Sequence, residues 1–480
     1  MRERSVKTYN TRVNKSAKWT GATLLGGSGL RLLFLDAESL WFDEASTLLI
    51  AGRPLSELVP LLVSNEVNPP LYYALMHFWL QAFGDPRHGL RLFSVLCGVA
   101  SLFAFRSLAA RLLPERARLP ALWFAIMSSF WIHIAQDGRS YSLLLLISLL
   151  STLVTLELSK GKPRPLFFAA YAMLAALGLY THYYFAILLA GHALWLGRLA
   201  AGSARRAAKL IAAHAAAALL FVPWLPSFVV QARLHVGDPV LGESLTFARV
   251  LDLVGTTFFS VTFLGLALPR WVGVAVGAGF AMLALAAAAD ARRADGGSPE
   301  RRAFDFCATH LAAALALVAA VELWSGRPVT QARYFTPISP VLLLLAALGA
   351  GRSWTRIAAG VVMAAGVAGY FFSALMVDPR LGVLAAAIRR SSDKSVPVVH
   401  LGAYYYLPLR VYYLPERRHL LMTEAAVGMD YRGMPPYSGV IEDKDLPGLG
   451  PCVLVDQSRT HSPERLALCT GEQLAALRRR

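Results

Sequence analysis

Charged residues are scarce in this chain. Asp, Glu, Lys and Arg make up 16% of its 480 residues, whereas apolar residues make up 56%. Soluble domains carry about 25% charged residues, so this chain has too little charge to cover a surface that faces water. The scarcity excludes an ordinary soluble enzyme, and the composition also excludes disordered, collagen-like and coiled-coil chains. What remains is a membrane protein that crosses the bilayer several times.

Cysteine is also rare, and so are several signatures of catalysis. Four cysteines are too few for a disulfide framework. Cys452 and Cys469 lie in a polar C-terminal segment, where they could pair if that segment faces an oxidising compartment. The sequence has no His-rich metal-binding cluster, no Ser-His-Asp pattern and no ATP-binding motif. Any chemistry therefore has to come from other residue types.

Long apolar runs are abundant instead. A transmembrane helix needs about 20 mostly apolar residues, and a helix satisfies its own backbone hydrogen bonds within the bilayer. The candidate segments are 18–35, 92–113, 117–135, 140–158, 165–181, 184–200, 210–230, 270–289, 303–324, 335–350 and 354–376. The sequence therefore predicts an all-α polytopic membrane protein with about 11 to 13 transmembrane helices.

Two further apolar segments do not fit a simple count of spans. Leu71–Phe83 is too short to cross and suits a helix that lies on the membrane surface. The segment 247–268 is long enough but contains Arg249 and Asp252. We interpret it as an interfacial or re-entrant helix, because a crossing here would reverse the charge pattern of the loops that follow.

The net charge of +17 comes from basic residues that are concentrated in every second gap between the apolar segments. Short loops rich in Lys and Arg remain in the cytoplasm. We therefore expect a multi-pass protein of the plasma (inner) membrane, with its N-terminus inside and the intervening gaps and the C-terminal tail outside. Orientation in the bilayer accounts for the basic charge, so nucleic acid is not an expected partner.

The domain organisation follows from these patterns. We predict a cytoplasmic basic N-terminus (1–17), a transmembrane module (18–376) that includes the first outward loop (36–91), and an extracytoplasmic domain (377–480). The last domain gains charge, Pro and Gly. Short buried strands are predicted at Val396–Val399 and Cys452–Val455, and helices at Leu381–Arg390 and Pro463–Leu468. A small α/β domain fits this pattern.

The first outward loop contains adjacent carboxylates. Asp43 and Glu44 follow Trp41 and Phe42 directly, and such aromatic pairs anchor a chain at the membrane interface. A carboxylate at this depth is partly desolvated and could take a proton from a hydroxyl acceptor. The alternative is a solvated loop carboxylate without a chemical role.

Three later outward gaps also carry candidates. Asp137 and Arg139 lie in a gap of only a few residues, where they are either functional groups or a pair that neutralises itself. Arg333 precedes Tyr334 and could bind a phosphate with its planar guanidinium, or it could simply extend to the membrane surface. His182 lies among tyrosines that could equally form an aromatic belt.

All these groups are expected on one membrane face. Acidic side chains at positions 43 and 137 would then share one pocket with the arginines. Nucleotide sugars do not reach that face, so catalysis there would use an activated lipid-phosphate donor.

At this point the sequence resembles a known family. The motifs are Leu40-Trp41-Phe42-Asp43-Glu44-Ala45, Asn68-Pro69-Pro70-Leu71-Tyr72-Tyr73, Gly84, Arg91-Leu92, Gln136-Asp137-Gly138-Arg139-Ser140-Tyr141 and Arg333-Tyr334. They are similar to those of the GT-C superfamily of polyprenyl-phosphate-dependent glycosyltransferases, in particular to bacterial proteins of family 39. These resemble protein mannosyltransferases and the aminoarabinose transferase of lipid A. The resemblance covers about residues 18–376.

The resemblance implies an inverting transfer of a sugar from a polyprenyl-phosphate donor to a lipid, glycan or protein of the cell envelope. It assigns Asp43 as general base or acceptor-positioning group, Glu44 as its neighbour, and Asp137 as the acidic residue of the second outward loop. The residues implied in binding the donor phosphate are Arg91, Arg139, Arg333 and Tyr334. Those implied in binding substrate are Asn68, Tyr72, Tyr73 and His182. Some members use a divalent metal and others do not, so the metal stays open.

Two features depart from the protein mannosyltransferases. Asn68 stands where a His usually precedes the Pro pair, and their large lumenal insert is missing. A protein acceptor is therefore in doubt. Two other functions stay open. One is a transporter or flippase of lipid-linked sugars, which would predict polar or broken segments at the bilayer midplane that the sequence does not show. The other is a non-catalytic envelope assembly protein.

Overall fold

The structure is a computed structural model. It describes residues 21–84, 86–160, 162–235, 243–259, 270–351, 353–376, 381–401, 403–422, 440–441, 449–455, 466–470 and 472–473. The predicted cytoplasmic N-terminus (1–17) lies outside these residues.

Helices dominate the described residues, and each predicted span is mostly helical where it is described. The helices of the first half are α1 (21–32), α2 (Phe42–Ala51), α3 (Leu55–Asn65), α4 (Leu71–Phe83), α5 (Pro86–Leu112), α6 (Glu115–Met127), α7 (Ser129–Gln136), α8 (Tyr141–Leu158), α9 (Pro165–Thr181), α10 (Phe185–Ala200), α11 (Ala204–Phe221) and α12 (Leu225–His235). Those of the second half are α13 (Phe247–Phe258), α14 (Arg270–Arg293), α15 (Pro299–Ser325), a 3₁₀ turn (Ala332–Ile338), α16 (Ser339–Gly349), α17 (Ser353–Met376), α18 (Leu381–Ser391) and α19 (Ala403–Pro408).

The described helices make this a multi-pass membrane protein. Seven are long and apolar enough to cross a membrane: α5, α8, α11 continuing into α12, α14, α15, the 3₁₀ turn continuing into α16, and α17. Helices α6 and α7 make an eighth if they form one span, bent by 48°. Helices α9 and α10 are shorter apolar helices of 17 and 16 residues at predicted spans.

The bend between α6 and α7 has a local cause. Ser128 ends α6 and accepts a hydrogen bond from the Trp131 backbone N–H at 3.2 Å, which starts a new helix. Its hydroxyl also donates to the carbonyl of Thr257 on α13 at 2.6 Å. The sequence predicts one span over 117–135, because an apolar run does not reveal that a serine within it caps the start of a new helix.

The described residues form two compact units. The helical unit comprises the described parts of Met1–Leu35 and Arg91–Ser373, and the α/β unit comprises those of Asp36–Leu90 and Ala374–Arg480. The first outward loop, which we had placed in the transmembrane module, is thus part of the same unit as the tail. Within this unit the Leu40 backbone N–H donates to the Tyr413 hydroxyl at 3.1 Å, and the Leu381 N–H donates to the Ser39 hydroxyl at 3.0 Å.

Glycines allow very close helix packing in the helical unit. A Cβ on Gly255 of α13 would lie 2.0 Å from the carbonyl oxygen of Gly273 on α14, and one on Gly277 would lie 1.8 Å from that of Leu251. Such backbone contact between helices is typical of small residues at membrane helix interfaces. The segment from residue 247, predicted to be interfacial or re-entrant, is helical over Phe247–Phe258, and residues 260–269 lie outside the description.

The α/β unit contains one five-stranded sheet. Its strands are β1 (Val398–His400), β2 (His419–Met422), β3 (Val440–Ile441), β4 (Pro451–Val455) and β5 (Leu466–Thr470). The order is β3-β2-β1-β4-β5, and all neighbours are parallel except β4 and β5.

This sheet confirms two predicted strands and corrects one predicted helix. The segment Pro463–Leu468, expected to be helical, enters β5 at Leu466, because this strand pairs along the whole of β4. The same pairing sets Cys452 and Cys469 opposite each other in register.

Helix α18 covers one face of this sheet. Leu381, Leu384, Ala385 and Ile388 recur at helical spacing and are buried in one cluster with the β1 residue Val398. The predicted helix at Leu381–Arg390 is confirmed.

Candidate functional site

Three connections of the helical unit bring aromatic rings together. Tyr141 starts α8, His182 and Tyr184 lie between α9 and α10, and Tyr334 lies in the 3₁₀ turn before α16. The His182 ring centroid is 5.8 Å from that of Tyr141 and 5.2 Å from that of Tyr334, and the Tyr184 and Tyr334 centroids are 4.8 Å apart. We call these four residues the aromatic cluster.

Two members of this cluster were missing from the predicted site. Tyr141 ends the motif that begins at Gln136, and Tyr184 belongs to the tyrosine-rich gap around His182. Both signals were present in the sequence, but only the packing of three distant connections reveals that the rings meet.

Arg333 lies against the aromatic cluster. Its guanidinium carbon is 5.9 Å from the ring centroid of Tyr141 and 5.8 Å from that of Tyr334. Its Nε donates to the Gln331 side-chain oxygen at 2.9 Å, and its carbonyl accepts from the Thr336 hydroxyl at 2.6 Å. Cation–π attraction to two rings holds the guanidinium in place. A positioned guanidinium fork is well suited to an anion such as a phosphate.

Asp137 and Arg139 lie in the tight turn between α7 and α8. The Asp137 N–H donates to the His133 carbonyl at 2.9 Å, and the Arg139 N–H donates to the Asp137 carbonyl at 2.8 Å. The two residues are only 5% and 4% exposed. Charged side chains this well buried in a membrane protein are costly and commonly functional.

His182 is held in its neutral form. Burial, followed by the charges of Arg333 and Arg139, lowers the pKa of His182 to about 3. Its Nδ1 accepts the Tyr184 backbone N–H at 3.2 Å, so the proton of the neutral ring is on Nε2. Within the described part of the chain this buried Nε2–H finds no acceptor. It can therefore donate to an oxygen of a bound ligand.

Arg91 has a structural contact of its own. Its Nη1 donates to the Leu35 carbonyl at 2.7 Å, and the residue is 3% exposed. Leu35 and Arg91 are the residues at which the chain leaves and re-enters the helical unit. The hydrogen bond therefore ties these two points together, and the predicted contact of Arg91 with phosphate stays a prediction.

In the α/β unit, the predicted carboxylates begin α2. Asp43 and Glu44 lie in its first turn, where a negative charge is favourable at the positive end of the helix dipole. Glu44 is fully buried on the face that also contains Leu48 and Ala51, whereas Asp43 is partly exposed. Of the two, Asp43 is therefore the one that a substrate could reach.

Glu66 organises the Asn68-Pro69-Pro70 segment, and the sequence had not singled it out. One carboxylate oxygen accepts from the Asn68 side-chain nitrogen at 2.8 Å and from the Val67 N–H at 3.1 Å. Tyr72 and Tyr73 follow in the first turn of α4, each 1% exposed. Their ring centroids are 5.9 Å apart. Their predicted role in binding substrate stays a prediction.

The comparisons with known proteins found structural likeness only. No family model and no curated protein matches the sequence. The structure is similar to that of ArnT from Cupriavidus metallidurans in the apo state, with a TM-score of 0.62, 12% identity, and 92% of this chain and 94% of that chain covered. ArnT bound to undecaprenyl phosphate gives a TM-score of 0.60, 13% identity, and 92% and 93% coverage. The fold of this chain is therefore similar to that of ArnT. The resemblance seen in the sequence is thereby confirmed at the level of the fold.

The comparison with the oligosaccharyltransferase of Archaeoglobus fulgidus gives a TM-score of 0.47, 12% identity, and 83% and 62% coverage. Within the described residues, no three His, Cys, Asp or Glu side chains are grouped as metal ligands. Some of the predicted site residues belong to the helical unit and the others belong to the α/β unit. The expected meeting of Asp43 with Asp137 stays a prediction.

Proposed function

We propose that this protein is a membrane glycosyltransferase that moves a sugar from a polyprenyl-phosphate donor to an acceptor of the cell envelope. The observation that carries the proposal is the guanidinium of Arg333, placed against Tyr141 and Tyr334 in a chain with the GT-C fold. The active site and the α/β unit would face outward from the plasma membrane, as the distribution of basic loops predicts.

The arginines of the helical unit would bind the donor phosphate. Arg333 and Arg139 both act on His182 through their charge, so the two guanidinium groups lie near the same ring. Their positive charge would stabilise the phosphate as it departs, which is usually the largest contribution to such a reaction. The His182 Nε2–H would add a neutral donor. The likeness to ArnT bound to undecaprenyl phosphate supports a polyprenyl-phosphate donor.

The carboxylates would act on the acceptor. An acceptor hydroxyl or amine attacks the anomeric carbon, and Asp43 takes its proton as general base. The bond from the anomeric carbon to the phosphate oxygen breaks, and its electron pair leaves with the polyprenyl phosphate. Attack opposite to the leaving group inverts the configuration of the sugar. Asp137 would orient the reacting groups from its buried turn.

Gene deletion with mass spectrometry of envelope glycans and polyprenyl-phosphate sugars tests this proposal. We expect the deletion strain to accumulate one lipid-linked sugar and to lack that sugar in its envelope. Asp43→Asn and Asp137→Asn should each fail to restore it, with a loss of more than about 100-fold in transfer. Asp305→Asn is the matched control, because Asp305 pairs with Arg301 near the start of α15 and should restore the sugar fully.

Two outcomes would count against the proposal. Unchanged glycans and lipid-linked sugars in the deletion strain would refute the transferase. Full restoration by both site variants would refute the assigned carboxylates while leaving the transferase in place. Loss of expression in a variant is detected by immunoblotting of the membrane fraction, and Glu substitutions at the same positions then replace the Asn variants.

A transporter of lipid-linked sugars is the second candidate. The 48° bend between α6 and α7 favours it, because broken helices mark the substrate sites of many transporters. Purified protein in vesicles that contain donor and acceptor lipids distinguishes the two. A transferase forms glycosylated acceptor, whereas a transporter only moves the donor across the bilayer.

A further inference from the structure

Two charged residues of α13 have no place in the function proposed so far. Arg249 and Asp252 interrupt an apolar segment, and they are among the features that set this segment apart in the sequence. Arg249 is 8% exposed, and its Nη1 lies 2.5 Å from the Asp252 carboxylate one helical turn away. Asp252 thus neutralises Arg249 and fixes the direction of its side chain, and the Glu243 carboxylate lies 3.6 Å from the same Nη1.

The remaining donors of Arg249 bind one residue outside α13. Its Nη2 donates to the Thr330 carbonyl at 3.0 Å, and its Nε donates to the Thr330 hydroxyl at 3.3 Å. A planar guanidinium can bind both acceptors at once, whereas the point charge of a lysine cannot reproduce this geometry. Arg249 therefore holds both the backbone and the side chain of Thr330.

Thr330 is also held from its other side. It forms a two-way backbone bridge with Glu243, with the Glu243 N–H donating to Thr330 at 3.0 Å and the Thr330 N–H donating back at 3.2 Å. The Thr330 carbonyl consequently accepts two hydrogen bonds, from Glu243 and from Arg249. The preceding carbonyl, that of Val329, accepts from the hydroxyl of Tyr184 in the aromatic cluster.

This anchored peptide ends three residues before Arg333. Only Gln331 and Ala332 lie between, and Gln331 itself accepts a hydrogen bond from Arg333. The orientation of the Thr330 peptide therefore sets where the chain enters the turn that presents Arg333 to Tyr141 and Tyr334.

We propose that Arg249 is a positioning residue for the phosphate-binding Arg333, acting through Thr330. This inference rests on the proposed function, because it assumes that Arg333 binds a phosphate. In this proposal α13 orients the donor site indirectly and does not contact the substrate. This positioning role explains why an otherwise apolar segment carries charged residues.

The test uses the full-length protein in nanodiscs. Arg249→Met removes the guanidinium but keeps a side chain of similar length, and Arg249→Lys keeps the charge only. Arg206→Met is the matched control. Arg206 also donates to backbone carbonyls, those of Leu158 and Ser159, but at the far end of α8, about 27 Å along the helix from Tyr141.

Two readouts separate positioning from general structure. Hydrogen exchange of the peptide 329–334 reports the anchoring of Thr330 directly, and titration with undecaprenyl phosphate reports the donor site. We expect both Arg249 variants to exchange faster at Thr330 and to bind undecaprenyl phosphate about ten-fold more weakly. Transfer should show a raised KM for the donor and a much smaller change in kcat. The control should change neither readout.

Protected exchange and wild-type affinity in Arg249→Met would overturn the inference. If that variant does not fold, Thr330→Val replaces it, since the valine removes the hydroxyl contact and keeps the volume. Failure of the proposed function is recognised separately: the wild type would not bind undecaprenyl phosphate at all. Faster exchange at Thr330 without any change in affinity would likewise refute the link from Arg249 to Arg333.

Discussion

Acidification is expected to destabilise the α/β unit through two stacked histidines. His400 ends β1 and His419 begins β2, with ring centroids 5.2 Å apart. His419 Nε2 donates to the Leu414 carbonyl at 2.9 Å, so its Nδ1 can accept the N–H of His400 Nε2, also at 2.9 Å. Both residues are buried, at 0% and 5% exposure. This chain of hydrogen bonds requires His419 to be neutral, because its Nδ1 accepts. A proton on the buried Nδ1 of His400 would find no acceptor among the described residues.

The magnitude follows from the pKa values. Burial lowers the pKa of His400 well below its usual value, and it lowers the pKa of His419 from 6.5 to about 4, although the hydrogen bond to Leu414 opposes the shift. For His419 alone, this lowering of the pKa corresponds to about 3 kcal/mol of folding free energy. Between these two pKa values, the unfolded chain binds more protons than the folded chain does. The contribution of His419 to the free energy of unfolding is therefore fully present at neutral pH, and it is lost as the pH falls from about 6.5 to about 4.

Hydrogen exchange of the strand peptides measures this loss. We expect the protection of β1 and β2, corrected for intrinsic exchange rates, to fall about 100-fold between pH 7.5 and pH 4.5, while α8 serves as internal reference. In His419→Gln the pH dependence should weaken, because glutamine does not titrate in this range. Equal protection of both strands at the two pH values would refute the reasoning.

Two further predictions concern the helical unit. Arg333→Lys should bind undecaprenyl phosphate about ten-fold more weakly, because lysine loses the two-pronged contact and stacks less well on the tyrosines; a titration with wild-type affinity would remove Arg333 from the phosphate site. Gly277→Val should lower the melting temperature in detergent, because its Cβ would lie 1.8 Å from the Leu251 carbonyl oxygen. Gly279→Val is its control, since a Cβ there meets nothing within 4 Å, and equal melting temperatures of the two variants would contradict the close packing of α13 and α14.

The positions of the helices could be predicted because they depend on local apolar content. Long runs such as that of α14 are recognisable without any knowledge of their partners. The bend at Ser128 escaped the prediction, because the carbonyl of Thr257 that binds its hydroxyl is far away in the sequence. The start of strand β5 lies in a segment that the sequence predicts to be helical, for a similar reason: its pairing with β4 outweighs a short and ambiguous local pattern.

In the candidate site, too, local sequence features could be predicted, whereas features that depend on distant contacts could not. Residues in motifs, such as Asp137 and Arg333, were identified from the sequence because their types and gaps suggest chemistry. Residues that hold those groups in place were missed or misread. Glu66 has no motif of its own, and Arg249 looked like an exception within an apolar helix until its contacts with Thr330 were visible.

The union of the first outward loop with the tail has a consequence for biogenesis. Ser39 and Leu381 are joined across 342 positions, and Leu40 and Tyr413 across 373. During translation the loop emerges before residues 381 and 413 have been synthesised, so Asp43 and its neighbours at first lack these native contacts. Reporter fusions truncated before residue 381 should therefore show an early loop that proteases cleave readily.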